Sequence, residues 1–202
     1  MSGRLAVIGL GPGNAGQMTP EATEAVRTAR EFFGYKPYLD RLDLADGQIR
    51  HASDNREELS RAAAALTRAS HGIDVAVVSG GDPGVFAMAA AVCEAIEAGP
   101  PEWRDIELTV VPGITAMLAV AARIGAPLGH DFCAISLSDN LKPWELIERR
   151  LDAASTAARL VTVILSSSRP TARARMTTRS PPSPKTSSAR EIWCGRAFDE
   201  GL

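Results

Sequence analysis

Cysteine is scarce in this chain. Cys93, Cys133 and Cys194 are the only three in 202 residues, and no two form a CxxC pair. That excludes a disulfide framework and a cysteine-built zinc cluster, and makes a reducing cytoplasm the expected setting. His51, His71 and His130 have neither HxxxH nor HExxH spacing, so no metal site is expected. Long apolar runs are missing as well. None reaches the ~18 residues of a membrane span, and the short run in MSGRLAVIGLGPG ends in glycines rather than continuing as a secretory signal. An excess of positive charge is also absent: the formal net charge is -2, which speaks against nucleic acid as a partner. There is no GxSxG elbow and no GK[ST], so neither an α/β-hydrolase nor a nucleotide P-loop is indicated.

What is present is a series of apolar runs, each closed by glycine or proline. LAVIGL at 5–10, DVAVVS at 74–79, LTVVPG at 108–113 and CAISLSD at 133–139 read as strands. Helical patterns lie between and after them. Thr19 is placed to cap the helix PEATEAVRTAREF, with Pro20 at its first position. Ser53 or Asp54 is placed to cap a helix over 56–70. Further helices are expected near 86–98, in TAMLAVAARIG and at 142–154. GYKPYLD at 34–40 reads as a turn or loop. The alternation predicts an α/β class with a mainly parallel sheet, whose ligands sit at the carboxyl ends of strands.

Three strand-end strings carry the chemistry, and each has two readings. GLGPGN has glycines at 9, 11 and 13, the wrong spacing for a dinucleotide fingerprint. It is a tight turn or a place where backbone approaches a ligand, with Pro12 stiffening it. In GGDPG, Asp82 either caps the following helix or meets a ligand hydroxyl or amine. In PGITA, Thr115 either caps the next helix or presents, with Ala116, a backbone edge to an adenosine-sized ligand. Tyr35, Lys36 and Tyr38 read as ordinary loop surface.

Taken together, GLGPGNAGQMTPEATEAVRTA, GYKPYLD, VVSGGDPGVFAMAAAVCEA and VVPGITAMLAVAARIGAPLGHDF resemble the cobalamin-pathway tetrapyrrole methylases. These are the class III methyltransferases that use S-adenosyl-L-methionine. The resemblance runs from about Leu5 to Asp152. It implies two α/β lobes, the first over residues 1–112 and the second starting at 113. It assigns cofactor contacts to Pro12, Gly80, Gly81, Asp82, Val85, Thr115 and Ala116, and leaves Tyr35 and Lys36 as candidates for substrate contact or proton transfer. Asp82→Ala is expected to weaken cofactor binding and a change at Tyr38 is not. The implied activity is methyl transfer to a ring carbon of a tetrapyrrole. GYKPYL and HDFCAISLSDNLKPWELIERRL narrow this to carbon 17 of precorrin-3B with ring contraction. The alternatives are another precorrin carbon, or a remnant that binds without turnover. Pairing into a homodimer is also expected, since the Ala-rich stretches at 86–98 and 115–124 offer small side chains for close packing.

The composition changes abruptly after LVTVIL at 160–165. Residues 1–165 carry 15 Lys and Arg against 21 Asp and Glu, whereas residues 166–202 carry 7 against 3. The stretch 166–190 has no acidic residue and is dominated by Ser, Thr, Pro and Arg, so it is expected to be irregular or disordered. The second lobe, 113–165, is therefore expected to be incomplete. The tail at 166–202 is expected to lie outside it, as the product of an altered reading frame or as a basic tail for an acidic partner. No strand is expected after residue 165.

Overall fold

A computed structural model describes residues 3–129, 132–138, 142–157, 160–164 and 191–195. It divides into two compact units, Met1–Ala116 and Met117–Leu202. The first unit includes the Pro112–Ala116 segment.

The first unit is built on a five-stranded sheet of order β3-β2-β4-β1-β5. Its strands are β1 (Arg4–Gly9), β2 (Glu31–Tyr35), β3 (Ile49–Ser53), β4 (Val75–Ser79) and β5 (Glu107–Val111). Every pairing is parallel. Its helices are α1 (Pro20–Thr28), α2 (Lys36–Leu39), α3 (Glu58–Ser70) and α4 (Met88–Ala98), with α5 (Ala116–Arg123) beginning at the unit's end. Side chains alternate across the strands and build two cores. On one face Leu5, Val7, Val75 and Val77 pack with Ala62, Ala65 and Leu66 of α3 and Met88 and Val92 of α4. On the other, Ile8, Ala76 and Val78 pack with Ala22 and Val26 of α1 and with Leu39 and Leu42. Strands buried on both faces need continuous apolar runs, and β1 and β4 have them.

Thr19 caps α1 as the sequence implies, its Oγ1 accepting from Ala22 N at 3.1 Å. The run after α1 departs from expectation. The helix stops at Thr28, and Glu31–Tyr35 is an interior strand paired with β3 and β4 and followed by the short helix α2, not a helix end and a loop. Phe32 and Phe33 fill opposite cores there, which stabilises extended backbone over helix. Glu31 opens this strand almost fully buried; its carboxylate accepts from Arg68 and lies 2.9 Å from His51 Nε2, and the His51 ring stacks on Phe33. β3 was not expected either. At the head of α3 neither Ser53 nor Asp54 acts as the cap: the N-cap is Glu57, without a side-chain bond, and the Ser53 hydroxyl accepts instead from Arg61 Nε at 2.7 Å. Of the small side chains of α4, Ala89 and Ala91 are buried in the unit's core, whereas Ala90 and Ala98 are exposed.

The second unit contains β6 (Phe132–Ser136), α6 (Trp144–Ala157), β7 (Leu160–Ile164) and β8 (Glu191–Gly195). The three strands form a parallel sheet of order β6-β7-β8. Ile135, Leu137, Ile147 and Ala154 form its core. β8 corrects the expectation that no strand follows residue 165. Its EIWCG is short and flanked by polar residues, and only pairing along β7 identifies it as a strand. The expected irregularity of 166–190 lies outside the described residues.

Candidate functional site

All five strands of the first sheet are parallel, so their carboxyl ends share one edge. The helix after β1 covers one face and the helix after β4 covers the other. Since β1 and β4 are neighbours, the crevice between their ends is the topological switch point, where open α/β sheets hold ligands. The GLGPGN and GGDPG turns leave the sheet at that point.

These two turns are stitched together beyond the strand ends. Leu10 N donates to Ser79 O at 2.9 Å, and Gly11 and Gly81 exchange both backbone bonds, at 3.1 and 2.9 Å. Both residues have left-handed backbone, φ +67 and +68, which favours glycine at each. The third turn, after β5, closes onto them. A Cβ on Gly9 would lie 2.7 Å from Gly81 O, 2.8 Å from Gly113 N and 2.8 Å from Pro83 Cδ. One on Gly113 would collide with Gly81 O. Three turns thus meet backbone to backbone at Gly9, Gly81 and Gly113.

Asp82 fastens the junction. Its Oδ2 accepts from Gly113 N at 3.0 Å and its Oδ1 from Gly84 N at 2.8 Å. It therefore does not cap α4, whose N-cap is Ala87 without a side-chain bond. The physical reason is distance along the chain: Pro83–Ala87 intervene, with Phe86 at φ +54, so the helix begins only at Met88.

The structure gathers the expected cofactor residues on this edge. Pro12 is buried in the first turn, and Gly80 and Gly81 form the second. Val85 is half-buried, its N–H donating to Asp82 O at 3.3 Å. Thr115 is 8% exposed, and Ala116 N lies 3.7 Å from where a Gly81 Cβ would stand. Tyr35 ends β2 on the same edge, its ring edge-on to Tyr38 at 5.5 Å. Lys36 is not brought to the junction: its exposed Nζ pairs with Asp40 at 2.6 Å.

Two residues were not expected here. The Tyr38 ring lies over Gly80, whose added Cβ would be 2.8 Å from ring atoms, so Tyr38 does touch the second turn. Burial pushes its phenol pKa up. Arg41 reaches the first turn, donating to Leu10 O at 2.7 Å and Gly11 O at 3.1 Å. Burial pushes its pKa down. The signal available in the sequence is their spacing, three apart and so on one side of a helical turn, but it says nothing of what that side meets.

The profile of the Tetrapyrrole (Corrin/Porphyrin) Methylases matches residues 4–186. The chain is 72% identical over 157 residues to a Sinorhizobium sp precorrin-3B C(17)-methyltransferase, covering 78% of this chain and 62% of that one. The crystal structure of the methyltransferase CobJ superposes with a TM-score of 0.74 at 55% identity, covering 77% of this chain and 65% of that one. Uroporphyrin-III C-methyl transferase from Thermus thermophilus, complexed with S-adenosyl homocysteine, superposes with a TM-score of 0.52 at 26% identity, covering 66% of this chain and 59% of that one. The chain spans less than two thirds of the length of each of these three proteins. With the profile match extending over most of its length, and its glycine turns meeting at the sheet's switch point, the chain belongs to the tetrapyrrole methylases.

Proposed function

We propose that this chain binds S-adenosyl-L-methionine at the junction of its three strand-end turns and serves C-methylation of precorrin-3B at carbon 17, with ring contraction. The observation that carries the cofactor assignment is the meeting of the turns at Gly9, Gly81 and Gly113. The substrate assignment rests on the 72% identity to the Sinorhizobium enzyme. The residues present fit the cofactor. Glycine-lined backbone leaves amide and carbonyl edges bare of side chains, and a nucleoside can lie along such an edge without a Cβ clash. In this reading Pro12, Gly80, Gly81, Asp82, Val85, Thr115 and Ala116 hold it, Asp82 chiefly by fixing the second and third turns together.

When bound, S-adenosyl-L-methionine supplies an electrophilic methyl on its sulfonium. The task of the chain is then to hold donor and ring carbon in line, which contributes up to ~7–11 kcal/mol when positioning is ideal. Tyr35, at the end of β2, and Lys36 beside it stand on the substrate side. Lys36 must leave Asp40 to move a proton. A cytoplasmic homodimer completes the reading; sedimentation showing only monomer at micromolar concentration overturns the pairing. Among the described residues, no helix is long and apolar enough to cross a membrane.

A second reading is a remnant that binds without turnover. One experiment separates them. Purified chain is incubated with methyl-labelled S-adenosylmethionine and precorrin-3B. Labelled, ring-contracted product is expected. Cofactor binding without product supports the remnant. Methylation at a different carbon assigns a sister activity. Absence of both binding and product overturns the proposal.

A further inference from the structure

We propose that Arg41 is a positioning residue of the cofactor site, acting through the turn after β1. Its guanidinium forks onto two successive carbonyl oxygens, Leu10 O and Gly11 O. Gly11 O is the same atom that accepts from Gly81 N across the stitched turns, so one oxygen joins Arg41, the first turn and the second. Gly11 has left-handed backbone, a conformation held by its surroundings rather than by its own preference for one basin. A planar fork fixes two carbonyls relative to each other, which a lysine ammonium on a flexible stem does not.

Besides this turn, the Arg41 charge acts on the Tyr38 phenol, which lies over the second turn. Among the described residues it forms no ion pair with a carboxylate, although it is half-buried. A half-buried cation is retained where its hydrogen bonds offset the loss of hydration, and those bonds go to the turn. The same short segment reaches the second turn as well, through the Tyr38 ring over Gly80. The residues around α2, read from sequence as a surface loop, therefore brace both glycine turns from one side.

This inference rests on the cofactor reading above, and the test separates the two. The full chain and its Arg41→Ala, Arg41→Lys and Arg41→Gln variants are titrated with S-adenosylhomocysteine by calorimetry. Arg41→Ala is expected to bind about tenfold or more weakly, with Arg41→Lys recovering little of the loss. Millimolar methylguanidinium is expected to restore part of the affinity of Arg41→Ala and to leave the wild type unchanged, which a general loss of stability would not do. Amide exchange at Gly11 and Gly81 in the free variant should speed up. If Arg41→Ala does not fold, the Lys and Gln variants carry the comparison. Wild type that binds while the variants bind within twofold of it overturns the inference and leaves the cofactor reading standing, as does a loss that methylguanidinium fails to relieve. Wild type that does not bind overturns the cofactor reading, and the inference with it.

Discussion

Gly9→Ala tests the junction most directly. A carbon contact is comfortable at ~3.5–4.0 Å. The new methyl would stand at 2.7 Å from Gly81 O and 2.8 Å from both Gly113 N and Pro83 Cδ. Two of these atoms are backbone and the third is in a proline ring, and they belong to two different turns, so there is no flexible side chain to swing aside. Moving the second turn strains the Gly11–Gly81 pair; moving the third breaks the bond from Gly113 N to Asp82. Overpacking costs about 1–3 kcal/mol, and a lost hydrogen bond to a charged group about 1.5–3. The expected destabilisation of the first unit is about 3–5 kcal/mol. In a unit of this size that lowers Tm by about 12 °C or more. Gly47→Ala is the control. Gly47 has φ +88 and nothing within 4 Å of an added Cβ, so only left-handed strain remains, about 1–2 kcal/mol. The assay is urea denaturation in a Trp144→Phe/Trp193→Phe background. Trp103, which packs against the first unit's core, is then the sole tryptophan reporter. Gly9→Ala no more destabilising than Gly47→Ala would refute the close meeting of the three turns.

Three further outcomes are expected. Asp82→Ala removes the acceptor of two backbone N–H groups and should cost about 2–4 kcal/mol, with Asp82→Asn near half of that because one oxygen remains; equal losses in thermal melts would contradict the two-bond geometry. Hydrogen bonding from Arg68, and then from His51, holds the Glu31 carboxyl below its ordinary value of 4.5, so its stabilising contribution is present above about pH 4.5 and fades as pH falls through the lowered value. Glu31→Gln should therefore flatten the acid limb of the stability profile below about pH 4.5 while destabilising at pH 7; an unchanged acid limb in denaturant titrations would count against the cluster. Thr19→Ala should destabilise by about 1 kcal/mol through loss of the α1 cap, measured by the shift in urea midpoint at constant slope; no shift would mean the cap bond contributes nothing.

The legible parts of this chain were those decided locally. Continuous apolar runs marked β1, β4 and β5, and the glycines behind them marked the turns. Thr19 and Pro20 marked the start of α1. What escaped was decided across the sequence. Glu31 looked like the end of a helix face because its partners, Arg68 and His51, arrive from α3 and β3. β3 is an edge strand whose IRHAS has only partly buried or exposed positions, so it lacks the alternation that marks a half-buried strand. In the site, the helix-cap reading of Asp82 missed its part, because its acceptor role involves Gly113 on the neighbouring turn. Arg41 gave no local sign, since the carbonyls it serves lie in the turn after β1.

Gly9 ends the first strand and Gly81 and Gly113 follow the fourth and fifth, so the place where they touch does not exist in any fragment of the sheet. It is assembled only when β4 and β5 have both docked on β1 in register, the kind of distant pairing that comes late and slowly in folding. A ligand resting on all three turns would be a gauge of that registration. A slip of one residue in either pairing would separate the glycines, while occupancy at a hundred times Kd would stabilise the aligned sheet by about 2.7 kcal/mol. Protection of amides in β4 and β5, far from any contact with the ligand, would then rise with cofactor concentration, and the binding site would act as the clasp of the whole first unit.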